Sequence, residues 1–222
     1  MILIVLFIII FGSYNNGAEA DNIDPDIQNK IYQVMEKQQK IKTFQTDADL
    51  NIEAYSQKSS FNFTYYYHEP NRVHLDTENF VLLPTEPLKS LQPSFFKLSN
   101  YQIDFIGSTN HKGEKLNRIQ LTPKKENNKF WIKIWINTEK EKIEKAKIFF
   151  TMPSFEKEFA LNVQYQLING FSMPVTVKGH IAIPTRIKMN GQIKDFQEGL
   201  FDLTLSNYRI NQEFPPDIMR KL

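Results

Sequence analysis

The chain has 222 residues, 41% of them hydrophobic, 13% aromatic and 23% charged, which is a globular profile, neither disordered nor collagenous. Its formal net charge of +2, with no block of five like charges, argues against phosphate-backbone binding, so no nucleic-acid partner is expected. Zero Cys excludes disulfides, thiol nucleophiles, iron–sulfur clusters and thiolate zinc sites, and leaves His68, His74, His111 and His180 as nitrogen ligands.

The first twenty residues form a regime of their own. Ile2 to Phe11 is an unbroken apolar run, followed by a polar stretch and by Ala18-Glu19-Ala20, a small-x-small site of the kind a signal peptidase reads. Ten apolar residues at ~1.5 Å each reach about 15 Å, half of a ~30 Å hydrocarbon core. The expectation is a signal peptide over 1–20, with an uncleaved anchor as the alternative, and one exported domain over 21–222. A Cys-free, near-neutral exported domain fits a bacterial periplasm.

Asp24-Pro25 reads as an N-cap followed by Pro at the first helical position, and Ile27, Ile31, Val34, Met35 and Ile41 then fall on one helical face. From Phe44 the period changes to two. Ala48, Leu50, Ile52 and Ala54 alternate with polar residues, and after Ser59-Ser60 the run Phe61 to His68 does the same, predicting an antiparallel pair of strands. Glu69-Pro70-Asn71 breaks the second strand and Arg72 to Asp76 starts a third. Pro84 to Leu98, with three prolines, predicts a short helix or lid-like loop.

Further strands are predicted at Tyr101 to Ile106, Leu116 to Thr122, Lys129 to Asn137, Lys145 to Thr151, Phe159 to Leu167 and Ile181 to Met189. Gly107 to Gly113 and Lys124 to Asn128 read as separators, and Glu139 to Lys147 carries charge pairing that also suits a helix. Asn190-Gly191 is a two-residue turn signal before Gln192 to Phe196, and Phe201 to Ser206 is a final strand. Ten or eleven strands, one long helix and no βαβ alternation give an antiparallel α+β domain.

Catalytic patterns are missing from this sequence. Gly170-Phe171-Ser172-Met173-Pro174 lacks the closing Gly of a nucleophile elbow, His68-Glu69 lacks the second His of a zincin helix, and the eight glycines form no phosphate loop. Asp47 and Asp49, beside Asn51 and Glu53, suit a solvated strand face better than an acid dyad or calcium site. The reading is a protein that is not an enzyme and needs neither cofactor nor metal. What the chain has in excess is apolar strand surface. Phe61, Phe63, Tyr65 and Tyr67 share one face; Phe130, Ile132, Ile134 and Ile136 share another, with Trp131, Lys133 and Trp135 opposite. Two readings stay open: ordinary core beneath the helix, or a curved sheet with more apolar surface than one helix can cover, leaving a hollow for a ligand.

In order and spacing the chain resembles the LolA-like periplasmic lipoprotein carriers and their lipoprotein-sorting relatives. The resemblance runs from about Ile27 to Leu222. It rests on the opening helix, Phe44 entering the first strand, the aromatic second strand ending in His68-Glu69-Pro70-Asn71-Arg72-Val73, and Leu116 to Pro123. Ile134-Trp135-Ile136-Asn137, Gly170 with Pro174, and Asn207-Tyr208-Arg209-Ile210-Asn211 followed by Phe214 continue it. It implies an unclosed antiparallel barrel of about eleven strands, with the N-terminal helix and short lid helices over an apolar cavity that accepts acyl chains of a lipid or lipid-modified protein. Phe61, Phe63, Tyr65, Tyr67, Ile132 and Ile134 are the expected cavity residues, with Ile31, Met35 and Arg72 as lid contacts. The dedicated carriers place Arg directly before the strand-breaking Pro; here Glu69 stands there and Arg72 is the candidate substitute. The resemblance implies a monomeric carrier that meets a membrane-protein partner transiently; the alternative is an RseB-like periplasmic regulator.

Overall fold

The computed structural model describes residues 24–54, 57–77, 88, 91–124, 130–152, 157–187 and 193–222. The expected signal peptide, most of the lid-like stretch before Leu91, and the Asn190-Gly191 turn lie outside them.

Helix α1 (Pro25–Gln38) begins as its sequence dictates, with the Asp24 carboxylate accepting from the Asp26 N–H at 2.9 Å and Pro25 in the first turn. Ile31, Val34, Met35 and Gln38, three and four residues apart, form its buried stripe. Ten antiparallel strands follow: β1 (Thr43–Ala54), β2 (Gln57–His68), β3 (Arg72–Asp76), β4 (Tyr101–His111), β5 (Glu114–Pro123), β6 (Phe130–Asn137), β7 (Lys142–Met152), β8 (Lys157–Ile168), β9 (Phe171–Ile187) and β10 (Ile193–Ile210). A short helix α2 (Pro216–Lys221) closes the chain. The strands form one sheet in the order β3-β2-β1-β10-β9-β8-β7-β6-β5-β4. Every neighbour is next in sequence except β1 and β10, which meet in the interior of the sheet. β3 and β4 do not pair, so the sheet stays unclosed.

Several predicted boundaries are corrected. Of the ten or eleven strands expected, the sheet has ten among the described residues, because the predicted strands ending at Phe196 and beginning at Phe201 belong to one strand, β10, which starts at Ile193 and runs through Gly199. Gly107 to Gly113 is not a loop: β4 continues to His111 across a bulge at Gly107, and only Lys112-Gly113 turns. Helix is excluded for Glu139 to Lys147, since the Asn137 carboxamide accepts from the Glu139 and Lys140 N–H groups at 3.1 and 3.0 Å, making a turn from which β7 departs. β9 starts at Phe171, ten residues before the predicted strand. Its turn is Asn169-Gly170, both in the left-handed region at φ 50° and 82°, the two-residue hairpin geometry that Gly makes accessible. The described part of the predicted lid-like stretch and the residues after it hold two 3-10 helices, Pro93–Phe96 and Leu98–Asn100.

A second bulge sets the inner face of β10. Asn207 sits at φ 55°, between the pairs Asp47↔Ser206 and Gln45↔Arg209. The extra residue shifts the alternation, so Leu203, Leu205, Tyr208 and Ile210 all turn inward. Beyond it, Asn211 ties the first and last strands: its carboxamide oxygen accepts from the Lys42 N–H at 2.7 Å and its nitrogen donates to the Lys40 carbonyl at 3.2 Å. The inner face carries one apolar cluster reaching from Leu50 on β1 through Ile134 on β6 to Leu203 on β10, with the α1 stripe packed on it. A buried polar chain fastens α1 there. The Ser172 N–H donates to the Gln38 carboxamide, and the Ser172 hydroxyl accepts from the Ile143 N–H. On the outer side, Tyr66 meets Phe214 edge-on at 5.4 Å, and with Ile218 these form a small satellite cluster under α2.

Candidate functional site

Curvature brings the β2 end of the sheet and β4 towards each other, and the 3-10 segment Pro93–Phe96 fills the gap between them. A cleft of about 840 Å³ opens at this seam. Ile41 from the end of α1, Tyr67 and Pro70 from the end of β2 and its turn, Pro93 and Phe95 from the 3-10 segment, and Tyr101 from β4 supply its apolar walls. Gln39, Glu69, Asn71 and Lys97 stand among its polar groups. That volume lies inside the range of small-molecule sites, and an apolar wall with a polar fringe is their usual chemistry.

The 3-10 segment is latched from three elements. The Gln39 carboxamide donates to the Pro93 carbonyl at 2.7 Å, the Ser94 hydroxyl donates to the Asn71 carboxamide, and the Tyr101 hydroxyl donates to the Phe95 carbonyl at 2.7 Å. Two rings point downward from it. Phe95 stacks on Phe130 at 5.6 Å and Phe96 meets Tyr165 edge-on at 6.2 Å. Pro93, Phe96 and the preceding Leu91 are buried, so the segment is seated on the core by apolar contact as well as by these hydrogen bonds.

Beneath the segment lies a row of tyrosines. Tyr65 pairs with Thr46, Thr46 lies opposite the Asn207 bulge that turns Tyr208 inward, the Tyr208 hydroxyl donates to the Pro174 carbonyl at 2.6 Å, and Pro174 pairs with Tyr165. The Tyr65 and Tyr165 hydroxyls are buried without a hydrogen-bond partner among the described residues; Gln92 approaches Tyr65 but outside hydrogen-bond geometry. Burial holds the pKa of Tyr65, Tyr165 and Tyr208 above the ordinary phenol value and pushes Tyr101 up to about 12.

These shifts fix the alkaline limit of the fold. Above about pH 10 an unfolded tyrosine gives up its proton while the buried one keeps it, so the folded state binds more protons and stability falls as pH rises. Tyr101 alone contributes a loss on the order of 2 to 3 kcal/mol by pH 12. Denaturant titrations between about pH 10 and 12 should show this decline alongside late tyrosinate absorbance. A flat stability curve with every tyrosine ionising near 10 would contradict the burial described.

The expected cavity residues are divided by the structure. Tyr67 lines the cleft; Phe61 and Phe63 line a different hollow of about 640 Å³, at the edge of β2 beyond the end of β3; Tyr65, Ile132 and Ile134 are fully buried in the cluster. Ile31 and Met35 are buried on α1. Arg72 donates to the His68 ring at 2.7 Å across the β2–β3 hairpin, and the lid contact from this turn is made by its neighbour Asn71. Ile41, Pro93, Phe95 and Tyr101 line the cleft without being among the expected site residues, although Pro93 and Phe95 belong to the proline-bearing stretch predicted as a short helix or lid-like loop. Trp131 and Trp135 lie on the outer face. Asp47 and Asp49 are on that face too, with Asp47 accepting from the Asn207 carboxamide at 2.8 Å. Among the described residues no cluster of His, Asp or Glu is arranged to hold a metal.

No protein-family model matches the sequence and no curated protein matches it. Solved structures do match. A DUF1329 family protein from Desulfovibrio piger superposes with a TM-score of 0.54 at 12% identity, covering 86% of this chain and 95% of that one. An outer membrane lipoprotein-sorting protein domain from Vibrio parahaemolyticus gives 0.50 at 8% identity, with the same coverages of 86% and 95%. A LolA superfamily protein from Nitrosomonas europaea gives 0.47 at 13% identity, covering 84% and 96%. The chain shares the fold of the first two of these structures, in keeping with the LolA-like fold that its sequence resemblance implies.

Proposed function

We propose that this protein is a periplasmic carrier or binding protein that takes the acyl chain of a lipid or of a lipid-modified protein into the seam between α1, the end of β2 and the 3-10 segment. The observation that carries the reading is the latched segment itself: three side-chain hydrogen bonds and two aromatic contacts hold Pro93–Phe96 over the apolar face of an unclosed sheet. The fold shared with a lipoprotein-sorting domain supports the same class of cargo.

The physics suits reversible holding. Each methylene moved from water to an apolar wall is worth ~0.8 kcal/mol, so a ~16-carbon chain offers about 12 kcal/mol gross before ordering costs. The cleft is open on one side, which keeps part of that gain from being realised and lets cargo leave. With the segment displaced, the buried Tyr65 and Tyr165 hydroxyls are donors for the carbonyl oxygen that every acyl ligand carries. No covalent step is involved, and the role is non-enzymatic.

A fluorescent fatty acid should bind the purified protein, and native mass spectrometry of protein isolated from a bacterial envelope should show acyl-sized adducts. Phe95→Asp, which sets a carboxylate into the wall, should weaken probe binding at least about tenfold, with the thermal melt reporting whether the fold survives. A ligand-free mass together with no probe uptake by the unaltered protein would sink the proposal.

A further inference from the structure

The outer face of β5–β7 bears a basic aromatic ladder. Trp131 on β6 stacks flat on Phe149 of β7 at 3.7 Å and 5°, and its indole N–H donates to Glu158 on β8 at 3.0 Å. The Lys133 ammonium lies over Trp131 at 5.0 Å, Lys147 over Phe149 at 4.9 Å and Lys145 over Trp135 at 4.9 Å. Register makes this one patch: Trp131↔Phe149, Lys133↔Lys147 and Trp135↔Lys145 are directly paired. Like charges directly opposite, as at Lys133 and Lys147, cost stability in a sheet. Among the described residues none of the three ammonium groups has a carboxylate ion pair, whereas Lys58 and Lys178 on the same outer face pair with Glu53 and Asp202. The acidic side chains Asp47, Asp49 and Glu53 stand at the far end of that face, on β1. The convex surface is therefore uneven: three lysines without an ion pair among the described residues and both tryptophans of the chain lie together on β6 and β7, whereas Lys58 and Lys178 are matched by carboxylates.

We infer that the β6–β7 ladder docks the protein on an anionic phospholipid surface. Charge and ring chemistry both select that occupant. Lysines gain about 1 kcal/mol each near an anionic leaflet, and tryptophan favours the headgroup layer, where a flat ring is half wetted. Asp47, Asp49 and Glu53 on β1 then lie away from the docked strands, with β10, β9 and β8 between. The inference concerns the face opposite the acyl cleft and stands without it, so its test uses empty protein and no acyl probe.

Trp131 and Trp135 are the only tryptophans in the sequence, so intrinsic fluorescence reads this face alone. Vesicles of equal parts phosphatidylglycerol and phosphatidylcholine should shift the emission to shorter wavelength and co-sediment the full chain, and added salt should reverse both. Phosphatidylcholine alone should do neither. Replacing Lys133, Lys145 and Lys147 together by Gln should weaken vesicle binding about a hundredfold, and replacing them by Arg should retain it. The inference is overturned by an absent shift with anionic vesicles, by equal binding of the Gln variant, or by retention on an acidic polypeptide with no vesicle response, which would assign the ladder to a protein partner.

Discussion

Gly179→Ala is expected to be the most damaging small substitution in the chain. A Cβ built at Gly179 would lie 2.1 Å from the Ala160 carbonyl oxygen and 3.0 Å from the Leu161 Cα, both backbone atoms of β8. A flexible side chain could swing aside; a strand in mid-sheet cannot. Gly179 pairs with Leu161 on one side and with Phe201 of β10 on the other, so any shift propagates to both ladders. The expected loss is about 3 kcal/mol or more, a large fraction of the roughly 5 to 15 kcal/mol by which an ordinary domain is stable. Urea melts of the purified variant, or its absence from the soluble fraction, would show it. A variant melting within about 0.5 kcal/mol of the parent would mean that β8 and β9 lie further apart than described.

The second large effect concerns the latched segment. Because the chain has no Cys, Asn71→Cys with Ser94→Cys introduces a single pair across the hydrogen bond that joins the β2–β3 turn to the 3-10 helix. Bridging them, by oxidation or by a short thiol crosslinker, should slow uptake of a fluorescent fatty acid by at least about tenfold, and reduction of the disulfide should restore it. The reasoning is that Pro93–Phe96 must leave its seat before a chain can pass beneath it. Equal uptake with and without the bridge would show that cargo enters elsewhere, and the hollow beside Phe61 and Phe63 would become the better entrance.

What the sequence disclosed followed the strength of its local signals. Asp24-Pro25 and the spacing of Ile31, Val34 and Met35 specify α1 almost without tertiary help. Strict alternation in β1 and β6 identifies their inner faces, and both are buried as the period requires. Where a strand departs from regularity, legibility drops. β9 opens with Phe171-Ser172-Met173-Pro174, where a proline and a bulge interrupt the alternation, so no regular strand follows the Asn169-Gly170 pair to mark it as a hairpin turn. The predicted strands on either side of residues 197–200 are one long strand, with Gly199 in its interior. Helix α2 has six residues, too short to be stable alone, and exists because Phe214 and Ile218 pack on Tyr66.

The site was harder to read for a different reason. Periodicity says which face of a strand is apolar, but it does not say where two ends of a curved sheet approach. Ile41, Tyr67, Pro93 and Tyr101 become neighbours only through that curvature. The most regular apolar positions, Tyr65, Ile132 and Ile134, are consequently the ones most deeply used as core.

The meeting of β1 with β10 in the interior of the sheet bears on how the protein acquires its structure. The β1–β3 meander and the β4–β10 meander each pair only with sequence neighbours, while the junction between them joins groups such as Lys40 and Asn211, 171 residues apart. Contacts so distant along the chain are slow to form because loop closure must precede them. A polypeptide delivered from its N-terminus, by a ribosome or through a membrane pore, has no partner for β1 on this side until the final strand has emerged. Completion of the sheet is thus deferred until β10 has been delivered, although each meander can pair within itself before then.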